Sequence, residues 1–202
     1  MPLKAVALNC SLKSSGAQSS TDLLLSQVLA ALDGQGVTGE IIRVVDHDVK
    51  PGVTSDEGSG DAWPAIRAKI LGADILVLGT PVWLGQPSSV CKRVLERMDA
   101  FLGETDDAGR MVSYGRVAAV AVVGNEDGAH HVSAELYQAL SDVGFTIPAS
   151  AVTYWVGEAM GKTDYKDLPG TPDKVASATA ALARNAAHLA RLLSERQYPG
   201  PS

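Results

Sequence analysis

The run Ala73-Asp74-Ile75-Leu76-Val77-Leu78, continued by Gly79-Thr80-Pro81-Val82-Trp83-Leu84-Gly85-Gln86-Pro87-Ser88, decides how this chain is read. Its first part is a short, unbroken apolar segment of strand length; its second part breaks into glycines and prolines. Continuous rather than alternating hydrophobicity marks a strand covered on both faces, as in a parallel sheet packed between helices. The turn that follows sets Trp83 between Pro81 and Gly85, where chain usually meets water. A large aromatic side chain there needs a surface to lie against.

The same signature recurs along the chain. Strands are expected at Leu3–Asn9, Glu40–Asp46, Asp74–Gly79, Arg116–Gly124 and Ala149–Trp155, each rich in Val, Ile, Leu and Ala. Between them, Ser20–Asp33 puts Leu24, Leu25, Val28, Leu29 and Leu32 on one helical face and stops at Gly34. Gln86–Phe101 repeats that pattern with Val90, Val94, Leu95, Met98 and Phe101. Ala62–Leu71, His131–Val143 and Asp173–Glu195 complete five helices, the last preceded by Thr171-Pro172 as cap and first-turn proline. Alternating strands and helices with right-handed crossovers predict an α/β fold, a doubly wound five-stranded parallel sheet with helices on both faces, in a single domain over 1–202. Segments 47–61, 102–115 and 156–170, rich in Gly, Asp, Ser or Pro, read as surface excursions and candidate lids.

Composition narrows the function. The chain has 202 residues, 46% apolar and 20% charged, and a net charge of −6 without any Lys/Arg cluster, which argues against nucleic-acid or membrane partners. Small molecules or other proteins are the expected partners. Two cysteines, Cys10 and Cys91, fit reduced thiols in the cytoplasm, and the N-terminus carries neither a signal-peptide pattern nor a run of transmembrane length.

In open sheets of this class ligands bind beyond the carboxyl ends of the strands, where the strand order reverses. The loop after the first strand, from Cys10 to Thr21, is dense in hydroxyls, carries Lys13 and runs into a helix N-terminus, a setting for a phosphate monoester or for plain helix capping. The loop at 80–85 offers Trp83 to a planar ring or to the core. The loop Gly124-Asn125-Glu126-Asp127-Gly128 offers backbone donors and short polar side chains to a heteroaromatic edge, or is an ordinary capped turn. Other motifs fail. Gly157–Thr163 is one residue short of a Walker A loop, Asn9-Cys10-Ser11 lacks the acidic cluster of a receiver domain, and His130-His131 has no metal-ligand spacing around it. Cys10 has no activating base in view and reads as a small buried residue.

Taken in order, S-L-K…S-S-T, G-T-P-V-W-L-G-Q-P-S and G-N-E-D-G-A-H-H resemble the flavodoxin-like superfamily, in its NAD(P)H-dependent FMN reductase and quinone reductase branch, from Leu3 to about Trp155. The resemblance implies strand order 2-1-3-4-5 and a bound FMN. By position, Ser11, Lys13, Ser19, Ser20 and Thr21 would hold its phosphate. Pro81, Val82, Trp83, Leu84 and Gly85 would lie along the ring, and Gly124, Asn125, Glu126, Asp127 and Gly128 would close its other edge, with His130 at most tuning it. Two departures stand out: Cys10-Ser11-Leu12-Lys13 replaces the G-S-L-R of FMN reductases, and the T-x-T-G-x-T loop of true flavodoxins is absent.

The third loop has no Tyr or Trp to cover the second flavin face, which implies an enzyme open to reactants more than an electron carrier. The implied reaction passes a hydride from NADH or NADPH through FMN to a small acceptor such as a quinone or free flavin, by ping-pong kinetics, with no indispensable acid, base or nucleophile from the protein. Homodimers and homotetramers both remain open. A non-enzymatic flavodoxin-type carrier and a cofactor-free interaction protein on the same scaffold are the alternatives.

Overall fold

A computed structural model describes residues 2–200. Five parallel strands form the sheet: β1 (Leu3–Asn9), β2 (Val37–Arg43), β3 (Ile75–Trp83), β5 (Val117–Gly124) and β6 (Val152–Val156), in spatial order β2-β1-β3-β5-β6. Counting the parallel strands alone, that is the expected 2-1-3-4-5. The two-residue strand β4 (Gln86–Pro87) pairs antiparallel with the end of β3.

Successive residues of each central strand point to opposite sides, and both sides are apolar, so the strands read as continuous hydrophobic runs. On β5, Ala118, Val120 and Val122 enter one core and Val117, Ala119, Ala121 and Val123 the other. The first core is covered by α2 (Trp63–Leu71), α3 (Ser89–Met98) and α4 (Ala129–Asp142), the second by α1 (Ser20–Asp33) and α5 (Asp173–Glu195). Leu24, Leu25, Val28 and Leu32 of α1 are fully buried, each stabilising the fold by roughly 1.5–3 kcal/mol. Gly79 permits this packing: a Cβ there would stand 2.7 Å from the Leu25 side chain.

Some boundaries move. The second strand starts three residues earlier than periodicity suggests and ends at Arg43, because the turn at Gly36 (φ 74°) delivers Val37 opposite Leu3; Val44–Asp46 is a single 3-10 turn. β3 runs on through Thr80–Trp83, since Pro81 sits opposite Val123 in the ladder. Gln86 and Pro87 therefore belong to a hairpin, and α3 begins only after Ser88, whose Oγ accepts the Cys91 N–H at 3.1 Å. No helix of the described residues is long and apolar enough to cross a membrane.

The chain order puts the segments after β1, β3, β5 and β6 at the carboxyl end of the sheet, with the reversal of strand order between β1 and β3. Segment 102–115 precedes β5 and so lies at the opposite end, where Tyr114 packs on Tyr198 with ring centroids 5.4 Å apart. It is not a lid over the carboxyl end.

Candidate active site

The four carboxyl-end segments enclose a cavity of about 470 Å³. Its walls include Ser11, Lys13, Ser19, Ser20 and Thr21 from the first loop, Pro81, Val82, Trp83 and Leu84 from the β3 hairpin, and Gly124, Asn125 and Glu126 from the β5–α4 loop. The three separate stretches singled out by sequence meet in one place. Gly85, Asp127, Gly128 and His130 do not line it: Gly85 ends the hairpin turn, Asp127 accepts the Gly128 N–H at 2.7 Å, and His130 Nε2 bonds the Tyr154 hydroxyl at 3.1 Å.

The first loop is shaped from outside. Arg43, at the end of β2, donates through Nη1 to the carbonyls of Ser14 (2.7 Å) and Ala17 (3.0 Å), and its Nη2 pairs with Asp22 at 3.1 Å. Asn9 Nδ2 donates to the same Asp22 carboxylate at 2.9 Å. The acid in the first turn of α1 is thus held by Arg43 and Asn9, which removes the main objection to an anion at this helix N-terminus. Ser19 caps the helix, its Oγ accepting the Asp22 N–H at 3.3 Å, while Lys13 makes no ion pair among the described residues. At the base of the loop Cys10 is buried, and burial pushes its thiol well above the ordinary range, which disfavours the thiolate.

Trp83 is 53% exposed and stacks on no aromatic ring among the described residues. The segment read from the sequence as a turn is the end of β3, and its indole forms part of the cavity wall.

Sequence reasoning missed the fourth wall. Trp155, Met160, Asp164 and Tyr165 line the cavity together with Leu12 and Val123. The β5–α4 loop indeed has no aromatic residue, but β6 and the segment after it supply two, Trp155 and Tyr165, with centroids 5.5 Å apart. The expectation of an aromatic-poor second side is corrected accordingly. Trp155 stood at the carboxyl end of the last expected strand, and that position was the available signal. Segment 156–170 crosses the cavity rim as a strap. Gly157 N–H donates to the Gly124 carbonyl (2.9 Å), Met160 N–H to the Asn125 carbonyl (3.2 Å), Asn125 Nδ2 to Asp164 (3.0 Å), and Lys166 N–H to Ser20 Oγ (3.3 Å). Tyr165, whose hydroxyl donates to Gln27 at 2.6 Å, is a weaker acid than usual because burial outweighs its hydrogen bonds.

The site suits a flavin mononucleotide. Its volume lies in the range of small-molecule sites, one end gathers hydroxyls at a helix N-terminus, and Asn125 Oδ1 is a buried acceptor with no partner, which the imide N–H of a flavin would satisfy. Among the described residues no cluster of His, Cys, Asp or Glu is arranged to hold a metal ion.

Sheet order and site position define a flavodoxin-like protein. The family model "NADPH-dependent FMN reductase" matches residues 3–161, and the chain belongs to that family, a family of FMN-dependent oxidoreductases. It is 32% identical to the 8-demethyl-8-aminoriboflavin-5'-phosphate synthase of Streptomyces davaonensis, covering 98% of this chain and 81% of that protein. The crystal structure of RosB with bound 8-demethyl-8-formylriboflavin-5'-phosphate superposes with a TM-score of 0.88 at 31% identity, over 97% of this chain and 82% of that one. A Mycobacterium bovis protein named divalent metal cation transporter MntH is 37% identical over 95% of this chain, which spans only 29% of that protein's length.

Proposed function

We propose that the chain transfers a hydride from NADH or NADPH through bound FMN to a small planar acceptor such as a quinone or a free flavin, the two reactants using one site in turn. The observation that carries this reading is Trp83, a half-exposed indole in the cavity wall with no aromatic partner among the described residues. Bound FMN supplies the hydride chemistry. The chain's residues bind and orient. Ser11, Ser19, Ser20, Thr21 and Lys13 offer hydroxyls, first-turn N–H groups and one positive charge to the phosphate. Trp83 and Trp155 flank the ring space, and Asn125 offers its acceptor to the pyrimidine edge. A cavity of about 470 Å³ holds one such molecule and leaves a second planar reactant only the mouth, which supports alternation and ping-pong kinetics.

Two measurements test the reading. Reconstitution should prefer FMN over FAD, because the hydroxyl-rich end lacks a dinucleotide pyrophosphate fingerprint; equal or better binding of FAD defeats it. In stopped flow, NADH or NADPH should reduce the bound flavin. If only a one-electron protein donor does so, the chain is a carrier. The 31–32% identity to proteins named for riboflavin-5'-phosphate derivatives favours a second reading, in which the flavin is itself the substrate. Mass analysis of flavin recovered after turnover separates the two: unchanged FMN supports the reductase.

A further inference from the structure

The turn Leu84-Gly85 closes the β3–β4 hairpin with both residues at positive φ, 52° and 73°. Leucine is disfavoured there, and at 93% exposure its side chain gains nothing from the core. The hairpin ladder is only two pairs long, Val82 with Pro87 and Trp83 with Gln86. What holds the turn is Glu126. Its Oε1 accepts the Leu84 N–H at 3.0 Å and its Oε2 the Gly85 N–H at 3.3 Å, so two consecutive amides grip one carboxylate as an anion nest. Two glycines bring the loops close enough: a Cβ on Gly124 would stand 3.0 Å from the Val82 Cβ, and one on Gly128 would stand 2.9 Å from the Gly85 Cα. Among the described residues no Lys, Arg or His forms an ion pair with Glu126, so within the protein its charge is met by these two amides.

We infer that Glu126 is a positioning residue of the flavin end of the cavity: its carboxylate fixes the hairpin tip beside Trp83, and its charge lowers the reduction potential of a flavin bound there. The inference rests on the FMN reading above. Glu126 and Trp83 line the same cavity, and adding electrons to a flavin beside a fixed anion is disfavoured in a partly desolvated site. The two effects are separated by comparing the Gln and Asp variants. Glu126→Gln removes the charge and keeps the length, though its single carbonyl oxygen accepts from only one of the two amides. Glu126→Asp keeps the charge but, one methylene shorter, cannot span both amides. Glu126→Ala removes both.

The test measures three quantities on the full chain: amide exchange of Leu84 and Gly85 without flavin, the FMN dissociation constant, and the two-electron midpoint potential of bound FMN. Glu126→Gln should make reduction about tenfold more favourable, a rise of about 30 mV for a two-electron couple. Glu126→Asp should leave the potential in place, weaken FMN binding about threefold and speed exchange at both amides. Glu126→Ala should show both changes. A merely structural role would move thermal stability without moving the potential. Equal potentials in wild type, Gln and Ala variants overturn the charge effect, and unchanged amide exchange in the Ala variant overturns the positioning effect. If wild type takes up no FMN, the cofactor reading and the charge effect fall together, while exchange in the flavin-free protein still decides whether Glu126 holds the turn.

Discussion

Segments 47–61 and 156–170 are alike in composition, both rich in Gly and Asp with a proline, yet the fold uses them in opposite ways. The first is anchored by a fully buried ion pair. Arg97 of α3 reaches Asp61 at 2.7 Å and also donates to the carbonyls of Lys50 (2.8 Å) and Thr54 (2.9 Å), with its guanidinium 5.7 Å from the Trp63 ring. Asp61 in turn accepts the N–H groups of Lys50, Glu57 and Trp63. The second segment has no buried ion pair among the described residues; it is tied across the cavity rim by hydrogen bonds to Gly124, Asn125 and Ser20 and pinned at one point by Tyr165, which is buried in the core beneath α1 and α5. A buried charge must keep its partner, so the first excursion is part of the framework. Hydrogen bonds at a rim exchange with water at small cost, so the part of the second that precedes the buried Tyr165 can yield to a ligand.

The sharpest way to break this contrast is Arg97→Ala. It strands Asp61 in the interior and should destabilise the fold by about 3–5 kcal/mol in urea unfolding, while FMN affinity of the folded fraction stays close to wild type. Loss of FMN binding without loss of stability would reverse the assignment of the two segments.

Acid tests the same anchor. Burial pushes the Asp61 carboxyl upward, but Arg97 and the three backbone N–H groups outweigh it and hold the group well below the usual carboxylate range. A folded value lower than the unfolded one means that this stability is complete above the ordinary carboxylate pKa of about 3.9 and is lost as pH falls below it. Unfolding free energy measured from pH 7 to pH 3 should therefore drop more steeply in wild type than in Asp61→Asn, which starts lower and has no such group to protonate.

Predictions at the cavity are smaller. Trp83→Ala removes an aromatic wall and should weaken FMN binding by about 1 kcal/mol, roughly fivefold, with thermal stability little changed because the side chain is half exposed. Unchanged affinity and flavin spectrum would mean that the indole serves the protein alone. Smallest is Asp164→Ala, which removes one of the strap's two hydrogen bonds to Asn125 and should loosen FMN by a few-fold, about 0.5–1 kcal/mol, with faster flavin release. If the same change instead costs as much stability as Arg97→Ala, the two segments are not different in kind.

Much of the fold was legible because its signals are local. Unbroken apolar runs at β1, β3 and β5, a leucine stripe on α1 and its stop at Gly34 follow from side-chain periodicity and backbone freedom. The first-loop hydroxyls, Trp83 and the loop at 124–128 were found because a parallel sheet places such loops at one end. Boundaries at the hairpin were missed because Thr80 and Pro81 are held extended by the ladder to β5, a partner more than thirty residues away, which carries Val82 and Trp83 on into the short ladder with β4.

By itself, then, the sequence determined the α/β class, the strand order carried by its resemblance, and which three loops converge, since each depends on residues near one another in the chain. Only the tertiary structure decided that Trp155 and Tyr165 complete the cavity, that Arg43 draws Asp22 aside, that Glu126 grips the Leu84-Gly85 turn and that Arg97 finds Asp61. Those contacts join residues up to forty or more positions apart, and their directions are set by strand register and helix packing, which no local pattern encodes.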